Sequence, residues 1–470
     1  MPRFTRMTFL LRLLPLLGCL VFTGCAQTES DSGAETATAQ SPNVLFISID
    51  DLNDWLGVLD GHPDVQTPNI DRLARRGTLF ADTHCQFPLC GPSRASIMTG
   101  LLPSTMGITD HLKDEEVQAL AKKHETPMLH EVFAGAGYKT MAVGKIFHTH
   151  VPEGTIDMSG GREPFGPKPK PGYNWVSDKT STDWQAWPAT NEETADYRTA
   201  QWAIERLEEQ HDRPFLLMAG FLRPHVPWFA PPEWFEMQKP ADEVQLPHYD
   251  PADWDDVPEY ARSVAWEPQY PTTDWAIKEE QWGNIVQAYL ACISFVDHQV
   301  GAVLDALEAS PYADNTIIIL WSDHGYHLGE KGIFKKVTLW DRSTRVPMII
   351  AGPGLPEGQV THRVTQLLDV YPTLLDLAGL PANPVNEGHS LRPLIENPTA
   401  DWNHPAITNL RAANHSVVTE AYRYIRYADG SEELYDRVLD PDELTNIAAR
   451  SDVAVAKAEL ALRLPPDVEE

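Results

Sequence analysis

Cysteine is scarce in this chain: there are five in 470 residues, and two of them, Cys19 and Cys25, fall near the N-terminus. Cys85, Cys90 and Cys292 remain, an odd set that cannot pair completely and so points to one reactive thiol; Cys85 and Cys292 either pair or sit as buried thiols. Positive charge is also short, with 37 Lys and Arg against 67 Asp and Glu and a formal net charge of −30. That imbalance excludes nucleic acid as a partner, and its plain meaning is solubility. No internal repeat is visible. The N-terminal apolar run, Leu13 to Phe22, is too short to span a bilayer. From Ala26 to Gln40 there is no large apolar residue, so this stretch cannot bury a core and reads as a tether.

What is present begins with an export signal. Arg3, Arg6 and Arg12 precede the apolar run, which ends in Thr23-Gly24-Cys25. A small-residue pair before Cys resembles a bacterial lipobox, in which Cys25 becomes the lipidated first residue of the mature chain. The expected organisation is a leader over 1–24 and a tether over 25–41. It implies an exported bacterial lipoprotein, periplasmic or on the cell surface, that touches the membrane only through a lipid anchor at Cys25.

The remaining stretch of roughly 430 residues is long for one domain, and 42% hydrophobic residues supply a substantial core. Strand-like runs at Asn43 to Ile49, Thr140 to Val143, Phe215 to Phe221, Thr316 to Trp321 and Pro347 to Ala351 alternate with helical patterns. Among the latter are Pro68 to Ala74, closing at Gly77, Thr194 to Glu209 and Gln281 to Ala309. Such alternation predicts an α/β fold with a large, mostly parallel central sheet flanked by helices. In such sheets ligands gather at the carboxyl ends of the strands. Pro152 to Trp187 and Pro224 to Pro271 read as long loops that shape a site. After about Pro398 the alternation stops. Tyr422 to Tyr427 and Glu433 to Tyr435, around Asp429-Gly430, read as a hairpin, followed by a terminal helix near Val453 to Leu464. We therefore expect a catalytic domain over 42–397 and a small antiparallel-sheet subdomain over 398–470.

The most specific stretch is Cys90-Gly91-Pro92-Ser93-Arg94-Ala95-Ser96-Ile97-Met98-Thr99-Gly100. Pro92 suits the first position of a helix, which would set Cys90 at a helix N-terminus, where free N–H groups and the dipole favour an anion. Two acidic pairs end strand-like runs: Asp50-Asp51 and Asp323-His324. Either pair alone is as good a turn or cap as a ligand set; together, with Cys90 between them, they suggest a cation site. Their carboxylate oxygens suit Ca²⁺ or Mg²⁺ better than a softer metal.

The Cys90 stretch resembles the signature of type I sulfatases, and the resemblance extends from Asn43 to Tyr427. It implies an alkaline-phosphatase-like sulfatase fold that hydrolyses sulfate monoesters of a sulfated saccharide or polysaccharide. Cys90 would be converted to formylglycine (3-oxoalanine) by a formylglycine-generating maturation enzyme. One Ca²⁺ per chain would be held by Asp50, Asp51, Cys90, Asp323 and His324. Many sulfatases carry Asp-Asn where this chain has Asp323-His324, and the variant resembles the iduronate-2-sulfatase-like subfamily. It leaves open whether His324 ligates the metal or orients a neighbour. The same resemblance assigns Arg94 to holding the modified side chain, Lys145 and His148 to the diol and sulfate, His225 to protonating the leaving alcohol, and Lys336 to binding sulfate, with Lys335 next to it as the alternative. The tryptophans Trp184, Trp187, Trp228 and Trp234 read either as loop packing or as platforms for sugar rings.

Overall fold

A strand buried on both faces has no polar side to show, and Asn43–Ile49 (β1), with sequence NVLFISI, is buried at every position. In the computed structural model, which describes residues 41–165, 169, 174–175, 177 and 179–468, β1 lies inside a nine-stranded sheet. The other strands are Thr78–His84 (β2), Lys139–Gly144 (β3), Met158–Gly161 (β4), Phe215–Phe221 (β5), Thr316–Ser322 (β6), Arg345–Ala351 (β7), Gln359–Thr361 (β8) and Thr365–Gln366 (β9). They run in the order β8-β2-β7-β6-β1-β5-β3-β4, with β9 also on β2. The leader expected at 1–24, the Cys25 anchor and all but the last residue of the 25–41 tether lie outside the described residues. Those described fall within one unit, Thr36–Glu470.

The alternation of the strands divides the core in two. Leu45, Ile47 and Ile49 of β1 join Leu217 and Phe221 of β5 and Leu320 of β6 in one apolar cluster. Val44 and Phe46 join Leu216, Met218, Ile319 and Trp321 in the other. The first is covered by Pro68–Arg75 (α1), Ala195–Glu208 (α3) and the long Trp282–Ala309 (α4), the second by Cys90–Thr99 (α2) and Val370–Leu377 (α5). By length and composition α4 is apolar enough to cross a membrane, but Ile285, Tyr289, Cys292, Phe295 and Val300 are all fully buried against the sheet. It is the central helix of the core.

The predicted sheet is largely parallel, with one strand corrected. β1 runs parallel to both β5 and β6, with Val44 opposite Leu216 and Ile317. The strand expected from Pro347 begins at Arg345 and runs antiparallel to both of its neighbours, β6 and β2. After β6 the chain stays at the strands' carboxyl end for the loop carrying Asp323 and Lys336, so it re-enters the sheet from that end. The partner strand β2 went unread because Asp82 and His84 interrupt its apolar pattern. α1 stops at Arg75 with Arg76 as its C-cap, and Gly77 stands just past that end, where glycine is expected. It is needed because a Cβ there would stand 2.2 Å from the carbonyl oxygen of Ile350.

Near the C-terminus, Ala406–Leu410 (β10), Asn414–Val418 (β11), Tyr422–Arg426 (β12) and Glu432–Asp436 (β13) form an antiparallel sheet in sequential order, and β12 and β13 are the predicted hairpin. Helix Ala454–Ala461 (α6) follows, shorter than expected. This subdomain grips the loop between β6 and β7. Arg423, fully buried, donates to Asp341 at 2.7 Å and to the Leu339 carbonyl at 3.1 Å, and its Nε bonds Glu443. Lys331 donates to Asp253 at 3.1 Å and to the Glu443 carbonyl at 2.6 Å.

Removing one member of such a buried network strands the others. Glu443→Ala should cost about 3–5 kcal/mol, measured as the fall in unfolding free energy in urea. A loss under about 1 kcal/mol, the value of a solvated pair, would show that the clamp carries no weight.

Candidate active site

The site lies where β1, β3, β5 and β6 end. Asp50 and Asp51 follow β1, Lys145 follows β3, Arg223 and His225 follow β5, and Asp323 and His324 follow β6. Along a strand, consecutive side chains face opposite ways. Asp51 breaks that rule with a left-handed backbone, φ 63°, a conformation that costs a non-glycine residue roughly 1–2 kcal/mol. Both carboxylates are fully buried, and an oxygen of each lies in one cluster with Cys90 and His225.

Helix α2 begins at Cys90 itself, with Leu89 as its N-cap, so Pro92 is the third helical residue rather than the first. The consequence for Cys90 is as expected, since proline's missing N–H falls among the first-turn donors that have no helical partner. Gly91 is fixed by crowding, because a Cβ there would sit 2.9 Å from Nδ1 of His111. Cys90 Sγ is 3.2 Å from His324 Nε2 and 3.1 Å from Lys336 Nζ. One turn on, Arg94 reaches under the same helix. Its Nε donates to Asp323 Oδ2 at 2.7 Å, its Nη1 to Ser48 Oγ at 3.2 Å and also to the Lys145 carbonyl, and its Nη2 stands 3.7 Å from Asp50. Lys145 donates to Asp50 at 2.6 Å and Lys336 to Asp51 at 2.7 Å.

The adjacent-lysine ambiguity is resolved by geometry. Lys335 turns to Glu267 at 2.7 Å and lies over the Tyr270 ring, and Lys336 alone touches Cys90 and Asp51. His225 brings Nε2 to 4.0 Å from Asp51, with its Nδ1 2.6 Å from the Val226 carbonyl. His148 comes to the site too, stacked on His111 at 4.1 Å between ring centroids. Cys90, Arg94, Lys145, His148, His225 and Lys336 therefore come together here with Asp50, Asp51, Asp323 and His324. The sequence did not reveal His111, Tyr270 or Phe165, the last stacked on His225 at 5.2 Å. They are single residues in loops with no motif to mark them. Cys85, Cys90 and Cys292 are unpaired: Cys85 and Cys292 are buried thiols in opposite core layers. Trp184, Trp228 and Trp234 are buried packing residues, and Trp187 is half-buried.

The electrostatics suit a cation. Burial pushes the Asp51 carboxyl up to about 7 despite Lys336 and His324. Asp50 resists the same burial because Lys145, His225 and Arg94 hold it well below the usual range. Asp50 Oδ1 and Asp51 Oδ2 are buried without a hydrogen bond, and orphaned carboxylate oxygens are costly unless a cation takes them. Ligand atoms of Asp50, Cys90, Asp323 and His324 lie within 4.8 Å of one another, as do those of Asp50, Asp51, Cys90 and His225. The donor set fits a hard divalent cation, and Asp50, Asp51, Asp323 and His324 are the residues that would hold it. His324 Nδ1 is 3.0 Å from the Gly325 carbonyl, which leaves Nε2 facing Cys90 and Asp51.

A helix N-terminus bearing a reactive position, buried carboxylates for a cation, and lysines and imidazoles around them define a hydrolase centre for an oxyanion ester. Residues 42–380 match the Sulfatase family and residues 329–468 match N-sulphoglucosamine sulphohydrolase, C-terminal; the chain belongs to the sulfatase family and is a sulfuric ester hydrolase. It is similar to a sulfatase of Formosa agariphila, 44% identical over 421 residues that cover 87% of this chain and 83% of that protein. Human iduronate 2-sulfatase is 30% identical over 420 residues, covering 78% of this chain and 74% of that one. The solved structure of a 2-O GAG sulfatase matches with a TM-score of 0.70 at 24% identity, over 90% of this chain and 91% of that one. The fold is accordingly the alkaline-phosphatase-like sulfatase fold.

Lys336→Ala should lower kcat/KM on an aryl sulfate by about 10²–10³, the scale of one lost charge-stabilising donor. Lys335→Ala should lower it less than about tenfold, since its partner is Glu267. Parallel kinetics on the two variants check this, and equal losses would return the assignment to doubt.

Proposed function

We propose that this protein hydrolyses sulfate monoesters of a sulfated saccharide, in the manner of iduronate-2-sulfatase-like enzymes, with Cys90 oxidised to formylglycine. The observation that carries the reading is the position of Cys90: at the start of α2, in hydrogen-bond reach of Lys336 and His324, beside the two orphaned carboxylate oxygens. The hydrated aldehyde of formylglycine supplies a hydroxyl to attack sulfur and a second to release sulfate. A divalent cation, Ca²⁺ by family resemblance, would be held by Asp50, Asp51, Asp323 and His324 and would lower the pKa of that hydroxyl and polarise sulfate oxygens.

The chain's own residues do the rest. Arg94 fixes Asp323 and Asp50, so the ligand carboxylates are set before substrate arrives. Lys336 and Lys145 bring positive charge to the sulfate oxygens, and His148 stands with them. His225 Nε2 is the candidate donor to the leaving oxygen. Burial and Lys336 hold its pKa well below the ordinary value, and a sulfate bound against Lys336 offsets that field. Proton delivery thereby depends on bound substrate.

The wider setting follows the sequence. The leader and Cys25 support export as a lipoprotein, to the periplasm or surface of a bacterium. In the folded chain Cys90 is 1% exposed, so the maturation enzyme must reach it before α2 packs. Residues 42–397 carry the chemistry, and residues 398–470 brace the Lys336 loop.

Mass spectrometry of the Cys90 peptide, from protein co-expressed with a formylglycine-generating enzyme, should show the aldehyde. Cys90→Ala should abolish aryl sulfate turnover, chelation should remove it and Ca²⁺ should restore it. An unmodified thiol in fully active protein would refute the nucleophile, and faster turnover of aryl phosphate than aryl sulfate would refute the substrate class.

A further inference from the structure

Three cations of the site are committed to carboxylates: Lys145 to Asp50, Lys336 to Asp51 and Arg94 to Asp323. Arg162 is not. It directly follows β4, and among the described residues its guanidinium makes no ion pair or hydrogen bond, while its Nε is closed off from solvent with no acceptor. The guanidinium lies over the Phe165 ring, 5.5 Å from its centroid, and that ring stacks on His225. Arg223 also lies 5.5 Å from the Phe165 centroid, but its nitrogens are spent on the carbonyls of Phe229 at 2.7 Å and His225 at 2.9 Å. Arg162 is close to His148 as well. That imidazole is held neutral, at about 3, mainly by burial and then by His111 and Lys145, with the Arg162 charge adding to them. Arg162 thus belongs to the wall that carries both His225 and His148.

A partly buried guanidinium with an unmade hydrogen bond is costly. Here the scissile sulfate already has Lys145 and Lys336, so the charge of Arg162 is surplus to the reacting group. Its neighbour Phe165 packs on the imidazole proposed to protonate the leaving alcohol, which places the surplus on the sugar side of the bond. A guanidinium fork matches planar or tetrahedral oxyanions bidentately. We propose that Arg162 binds a second anionic group on the sugar that carries the scissile sulfate, and so makes this enzyme selective for polyanionic saccharides. This rests on the sulfatase reading above. The anion comes from either of two sources, a uronate carboxylate or a further sulfate.

The test uses the full exported chain with Arg162→Met, which keeps a stem over Phe165, and Arg162→Lys, which keeps the charge. Substrates are an aryl sulfate with no other charge, a 2-O-sulfated uronate disaccharide and a disulfated glucosamine. Arg162→Met should lower kcat/KM on a polyanionic substrate, relative to the aryl sulfate, by about tenfold or more, through KM, the scale of one charged hydrogen bond. Arg162→Lys should recover part of that ratio. A fall confined to the uronate identifies a carboxylate, and one confined to the disulfated sugar identifies a sulfate. Equal falls on all three substrates, the sign of disturbed His225 packing, overturn the proposal. Calorimetry on Cys90→Ser, with and without Arg162→Met, reads the subsite without turnover. Affinity for the polyanionic sugar should weaken at least about tenfold, and equal or absent binding overturns the proposal even where hydrolysis is seen. Hydrolysis absent from the wild type, with the Arg162-dependent affinity intact, would remove the sulfatase reading and leave the subsite standing.

Discussion

Two neighbouring carboxylates a few ångströms apart, out of contact with water, repel each other by several kcal/mol, and this site buries three of them. Asp50, Asp51 and Asp323 are tolerated because Arg94, Lys145 and Lys336 stand against them one for one. That match is nearly neutral, so a divalent cation accepted by the two orphaned oxygens leaves the cavity positive. On the reading proposed above, a sulfate ester would then restore balance, and its charge would offset the field of Lys336 at His225. On that reading, one charge arrangement would serve both affinity for the anion and readiness for proton transfer.

Those six groups come from four stretches of the chain, Asp50 and Asp51 after β1, Arg94 in α2, Lys145 after β3, and Asp323 and Lys336 in the loop after β6, and the sheet is what registers them. Hydrogen bonding of β1 to β5 and β6 with equal offsets sets Ser48 opposite Gly220 and Trp321, so the strands end level and their first loop residues share one cavity. The Lys336 loop has no strand beneath it. Its position is held by the C-terminal sheet, through Arg423 and Glu443 on Asp341 and Lys331 on Asp253 and Glu443. Trp340, which donates to Glu433 at 2.8 Å, closes the same contact. The subdomain thereby acts on chemistry it does not touch.

Much of this was legible because the constraints are local. A run such as Val44 to Ile49 reads as a strand buried on both faces, and Asp50-Asp51 at its end, ambiguous alone, gains meaning beside Asp323-His324 and Cys90. Cys90 to Gly100 carries its helix start and its chemistry in one stretch. The antiparallel turn of β7 was hidden, since strand direction depends on where a long loop returns the chain rather than on the residues of the strand. β2 was hidden by Asp82 and His84, whose polarity is answered by Arg437 and Thr344 far away in sequence. Choosing Lys336 over Lys335 needed three dimensions, because neighbouring residues differ only in the side of the loop they face.

The rim of the site was the least legible part, and the reason is physical. A nucleophile and its ligands must hold fixed distances, so few residue types serve and the pattern survives in sequence. The groups that meet the rest of a sugar need only complement its charge and shape, and many side chains do that equally well. Arg162 and Phe165 share one loop, His111 and Tyr270 come from two others, and their meaning appears only when partners are counted. Among them the informative residue is the one whose charge is unanswered. A folded protein seldom leaves a guanidinium without an acceptor, so the acceptor is sought in the ligand.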